Sequence, residues 1–192
     1  VYRDKSPADR SVVTLAKEIQ MRASHAVQAA ALIALLTTSC GDSSAPASRI
    51  EGVQTFEVTS SEHVKGTIDY PQDPPIGGPH NPVWQNCGFY NEPVPKERAV
   101  HSMEHGAVWI TYAPDLPADQ IETLRTLAER PYVLATPYQD LPMPVVASAW
   151  GNQLRVGGAA DPRLETFVEA FANGPQTPEP GAPCHGGVGE PA

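Results

Sequence analysis

Val100-His101-Ser102-Met103-Glu104-His105-Gly106-Ala107-Val108-Trp109-Ile110-Thr111-Tyr112 is the stretch on which the reading of this chain turns. Its second half is the most apolar β-forming run in the sequence and predicts a central strand. Upstream, the residues back to Val100 continue a strand-like pattern. In an extended strand successive side chains alternate faces. His101, Met103 and His105 then share one face, and Ser102 and Glu104 the other. Two imidazoles and a thioether would line one stripe, the outer Cβ atoms about 7 Å apart, and both rings can converge on one ion. A bend in the segment would instead bring Glu104 to the two histidines as an oxygen ligand.

Those ligand types point to a soft, imidazole-accepting metal. Thioether with imidazole favours copper, Cu(I) above all, whereas two histidines, a glutamate and a water suit zinc. Copper is therefore the first expectation and zinc the alternative; calcium and magnesium fit poorly. A third imidazole is available from His80 or from His185. Two other readings compete: structural or surface histidines with Met103 as core filler, and histidine acting as an acid–base group without metal. There is no G-x-S-x-G elbow, H-E-x-x-H helix, Walker loop or C-x-x-C pair.

Outward from this stretch the chain alternates between regular elements and loops. Val53–Val58 alternates apolar and polar residues as a half-buried strand does, and His63–Tyr70 predicts a turn or a short strand. Pro71–Val83 holds five prolines and two adjacent glycines, a density that only a long loop accommodates, and it carries His80. Ala118–Arg130 is an amphipathic helix with Ile121, Leu124, Leu127 and Ala128 on one face. Tyr132–Thr136, Val145–Trp150 and Gln153–Val156 predict three strands, with a tight turn at Gly151-Asn152. Asp161-Pro162 opens a second helix by the cap-then-proline rule, with Leu164, Phe167, Val168 and Phe171 as its stripe and Asn173-Gly174-Pro175 as its stop. Pro175–Ala192 is a Pro/Gly-rich tail. The order predicts an α+β fold: a mainly antiparallel sheet with two helices packed on one face, a long Pro-rich loop and a tail.

The N-terminal part predicts export. Met21-Arg22 precedes Ala23–Thr38, an uncharged run of about 16 mostly apolar residues, the length of a signal-peptide core and short for a membrane span. It ends at Leu36-Thr37-Thr38-Ser39-Cys40-Gly41 and gives way to small polar residues, the pattern of a bacterial lipoprotein leader with Cys40 lipidated. The usual Leu three places before the cysteine is Thr37 here. We therefore expect a leader over 1–39 with translation starting at Met21, a flexible tether over 40–50, one domain over 51–187 and a short tail over 188–192. The expected location is the cell envelope, periplasmic or extracellular, with the membrane held through the lipid and an envelope protein as partner.

The chain carries a formal charge of −9. Residues 1–39 hold five basic and three acidic side chains, so the remaining 153 residues stand at −11 without any Lys/Arg cluster. Nucleic acid is not an expected partner of such a surface. A chain of that length can bury about two-thirds of its unfolded surface in one domain. Two cysteines remain, Cys87 and Cys184. Outside the cytoplasm an isolated pair reads as a disulfide, worth about 4–5 kcal/mol by chain entropy before strain. A pair of thiolate metal ligands is the rival reading. A disulfide would hold Pro175–His185 against Trp84–Tyr90 and bring His185 to the rim of the site.

Cys87-Gly-Phe-Tyr-Asn-Glu-Pro-Val94, Val100-His-Ser-Met-Glu-His-Gly-Ala-Val108, Pro137-Tyr138, Val146-Ala-Ser-Ala-Trp-Gly151, Phe167–Gly174 and Pro178-Glu-Pro-Gly-Ala-Pro-Cys184 together resemble the DUF3105 family of bacterial exported proteins. The resemblance spans roughly residues 76–187 and implies no reaction, because the family's function is uncharacterised. Its pattern more often has Leu where this chain has Met103, which shifts weight to His101, Glu104, His105 and His80. Three functions follow as expectations: a lipid-anchored copper- or zinc-binding domain; a non-catalytic accessory module that docks through Trp84, Phe89 and Tyr90; and a metal-dependent enzyme carrying out hydrolysis or redox chemistry.

Overall fold

A computed structural model describes residues 50–192. The leader over 1–39, the start at Met21, Cys40 and nearly all of the tether lie outside the described residues. Six strands, β1 (Gln54–Thr55), β2 (Gly88–Phe89), β3 (Val108–Tyr112), β4 (Val133–Pro137), β5 (Val145–Ala149) and β6 (Asn152–Val156), form one sheet in the order β1-β6-β5-β3-β4-β2. Among the described residues, three helices, α1 (Lys96–Glu104), α2 (Ala118–Leu127) and α3 (Pro162–Phe171), join the sheet in an α+β fold.

The sheet is mixed, where a mainly antiparallel one was expected. β1 with β6, β6 with β5 and β5 with β3 are antiparallel, but β3 with β4 and β4 with β2 are parallel. The cause is local. α2 lies between β3 and β4 in sequence, and a strand–helix–strand crossover brings the second strand back in the direction of the first. By contrast β5 and β6 are joined by a tight turn at Trp150-Gly151, with Gly151 at φ 71°, and that hairpin is antiparallel.

The two helices expected on one face are there. Leu124 of α2 and Leu164, Phe167, Val168 and Phe171 of α3 pack on Val108, Ile110, Tyr112, Val133, Ala135, Val145 and Ala147 of the sheet. α3 starts as its sequence predicts, with Asp161 accepting from the Arg163 amide and Pro162 in the first turn.

The third helix is the correction that matters most. The segment read as the start of the central strand is α1, and it packs on the opposite face. Ala99, Val100 and Met103 meet Trp109, Leu134 and Trp150 there. Burial of β3, β4 and β5 on both faces follows, and every residue in these strands is buried.

Candidate metal centre

Local chemistry makes 96–104 a helix. Pro95 occupies the N-cap position, Lys96, Glu97, Arg98 and Ala99 are good helix formers, and Glu97 sits where the dipole favours an acid. Gly106 ends it. At φ 109° it takes a left-handed conformation, its amide donates to the Met103 carbonyl at 3.0 Å, and the Ala107 amide donates to the Ser102 carbonyl at 2.8 Å. This is the Schellman pair of hydrogen bonds. A Cβ at Gly106 would also stand 2.9 Å from the Asn173 backbone.

Helical spacing reassigns the side chains. His101, Glu104 and His105, at i, i+3 and i+4, share one face. Met103 turns to the other, fully buried against the sheet. The Pro-rich loop then brings His80 to Glu104. Gly77 and Gly78, both at positive φ, let the loop turn close beneath Val58 and Trp150. His80 itself is fully buried, and its ring meets Trp150 edge-on at 6.0 Å. A short parallel pairing, with Val64 N–H donating to the His80 carbonyl and His80 N–H to the Glu62 carbonyl, sets His63 beside His80.

Four side chains converge. His80 Nε2 lies 2.9 Å, His63 Nε2 3.4 Å and His101 Nε2 4.0 Å from Glu104 Oε2. One ligand atom of each of His63, His80, His101 and Glu104 lies within 4.8 Å of the others, so this group can hold one metal ion. The His63, His80 and His101 rings stand with centroids 4.9 Å apart, pair by pair.

The outer nitrogens fix the tautomers. His80 Nδ1 is 2.8 Å from the Gly78 carbonyl, His101 Nδ1 2.6 Å from the Asn81 carbonyl and His105 Nδ1 2.8 Å from the Pro183 carbonyl. A carbonyl only accepts, so each Nδ1 carries a proton, and each Nε2 points inward. Histidines that ligate metals are held in this way, with the far nitrogen donating to a carbonyl. Burial pushes His101 down to about 4, outweighing the Asn81 carbonyl, which favours the charged form. The ring is thus a neutral donor at pH 7. Trp84 walls this side, its ring centroid 5.6 Å from His101 and 4.8 Å from His105.

The expected residues divide as follows. His80, His101 and Glu104 come together; His105 lies next to them, its Nε2 3.0 Å from that of His101. Met103 does not join them, because a helix, unlike a strand, points residues 101 and 103 to different sides. His185 is exposed and outside the four-residue group. Sequence reading missed His63, which reaches the site only through the loop pairing with His80, a contact without a local signature.

Cys87 and Cys184 form a disulfide with Cα atoms 5.4 Å apart. The thiolate-ligand alternative falls with it. Beyond the bond the tail runs along the 84–89 segment. Asn86 N–H donates to the Val188 carbonyl, Val188 N–H to the Trp84 carbonyl and Ala192 N–H to the Phe89 carbonyl. The stretch before the bond lies elsewhere than expected, over the end of α1, with Glu179 N–H on the Glu104 carbonyl at 3.1 Å. Phe89 and Tyr90, read as docking anchors, are buried in the two cores.

No curated protein and no solved structure matches the chain. One family model, described as a protein of unknown function (DUF3105), matches residues 63–186, a segment that opens on His63 and contains the other three converging residues and both cysteines. Over this, the greater part of its length, the chain belongs to the DUF3105 family.

Proposed function

We propose that this is an exported, lipid-anchored domain that holds a borderline divalent ion, copper(II) or zinc, at His63, His80, His101 and Glu104. The observation that carries it is the tautomer set: buried rings commit Nδ1–H to carbonyls and turn Nε2 toward a buried carboxylate. Lone pairs on His80 Nε2 and Glu104 Oε2 at 2.9 Å repel unless a cation or a proton lies between them. Three imidazoles and a carboxylate suit copper(II) or zinc. The case for Cu(I) rested on a thioether, and Met103 is in the core. Export rests on the leader before Cys40, and Cys40→Ser should move the protein from the membrane fraction to the soluble one.

Reconstitution of the untagged protein with Zn²⁺ and with Cu²⁺ tests the site. One tightly held ion is expected, with His80→Ala and Glu104→Gln each weakening it at least ~10–100-fold. A wild type that holds neither ion, or variants that hold it as well, would refute the reading. A second reading, metal-assisted hydrolysis, is favoured by the 47% exposure of the His63 side chain, which leaves the ion open to solvent. It predicts that the zinc-loaded protein hydrolyses an activated ester and that chelation abolishes the reaction.

A further inference from the structure

Next to the four-residue group lie two further ligand atoms that the single-ion reading does not use, His105 Nε2 and Glu179 Oε2, grouped around His101. His105 Nε2 lies 3.0 Å from His101 Nε2 and 3.7 Å from Glu179 Oε2. Both rings already give their Nδ1 protons away, His101 to Asn81 and His105 to Pro183. Their Nε2 atoms therefore face each other, and a 3.0 Å contact between them calls for either a proton or a metal cation in between. Two nitrogens at that distance match two ligands on one ion at ordinary bond lengths of about 2.0–2.1 Å. The i, i+4 spacing of His101 in α1 and His105 at its C-cap brings the two rings edge to face, with centroids 4.6 Å apart. The Glu179 amide on the Glu104 carbonyl pins the tail so that the carboxylate reaches His105. The Glu179 side chain is 57% exposed, so it can swing the last fraction of an ångström without disturbing the core.

We propose that His101, His105 and Glu179 form a second position for a divalent cation, adjacent to the first. This rests on the single-ion reading above. With one ion bound, His101 completes the set of His63, His80 and Glu104. At higher loading His101 exchanges one coordinate bond for another: its Nε2 leaves the inner ion and binds the outer one with His105 and Glu179. A water takes its place on the inner ion, which keeps His63, His80 and Glu104. No bond other than metal–ligand bonds changes and no electron moves. Because an imidazole nitrogen donates to one ion at a time, the second ion binds more weakly than the first. The result is a two-ion centre with one solvent-open member, the arrangement that phosphate and peptide hydrolysis use.

Titration of the full-length untagged chain with Co²⁺, followed by its d–d absorption, tests this. The wild type should take up two equivalents in separate steps. Glu179→Gln and His105→Gln should each weaken the second step at least tenfold, to the level of a single-equivalent curve, and leave the first step unchanged. Glu179 is exposed, so its variant folds. One equivalent in the wild type would overturn the second position and leave the first standing. A second equivalent that survives both substitutions would place it elsewhere on the acidic surface and also overturn the proposal. No cobalt bound at all would remove both.

Discussion

His101 combines a buried ring, a committed Nδ1 proton and an inward lone pair, and its titration follows from that. Its unfolded value is 6.5 and its folded value about 4. The folded protein therefore binds that proton less readily than the unfolded chain. The stability this contributes is present above about pH 6.5 and is lost as pH falls toward 4. With a chelator present, urea midpoints should fall across that window, and His101→Gln should flatten the fall. An unchanged slope in that variant would place the acid sensitivity elsewhere. Protons compete with metal for the same nitrogens, so ion affinity should decline with pH in the same direction. Glu104 is the one carboxylate in the inner set and almost wholly buried. Glu104→Gln keeps the shape and removes the charge, and should separate ion binding, which it weakens, from folding, which calorimetry should show retained.

α1 gives the sharpest test of how side chains are assigned. Met103→Ala should destabilise by about 2–5 kcal/mol through a cavity between α1, Trp109, Leu134 and Trp150, while the ion is still bound. Met103→Leu should cost less than about 1.5 kcal/mol. Loss of the ion in Met103→Leu with stability intact would restore the thioether as a ligand. Gly106→Ala should cost about 1–3 kcal/mol, because it forces a Cβ into a left-handed residue and against Asn173. The regular elements were largely legible in the sequence. β4, β5, β6, α2 and α3 fall within a few residues of their expected bounds, because apolar periodicity, Asp161-Pro162 and Gly151 are local signals. α1 was misread since Val100-His-Ser-Met-Glu-His also has a two-residue rhythm. The better signals were Pro95 before it and Gly106 after it, a start and a stop. The parallel edge was legible in principle from the strand–helix–strand order around α2. His63 was not legible, because its place depends on two loops pairing.

In the molecule as a whole the disulfide joins residues 97 apart and ties the tail to the segment that carries Trp84. Cys87→Ala with Cys184→Ala should lower stability by about 2–5 kcal/mol, read from denaturant unfolding. It should also loosen Glu179 and the Pro183 carbonyl against His105, so the loss of ion affinity should fall more on a second ion than on the first. An equal loss at both would mean that the tail supports the whole site. The fold thus assembles its candidate centre from three sources: a helix face, a proline-stiffened loop and a segment before it. The central claim is that His63, His80, His101 and Glu104 hold one borderline divalent ion. X-ray absorption of the untagged protein loaded with a single equivalent of zinc tests it most directly. Three imidazole nitrogens and one oxygen at about 2.0–2.1 Å from the zinc are expected. A sulfur scatterer near about 2.3 Å, or an all-oxygen shell of bound water, would contradict it.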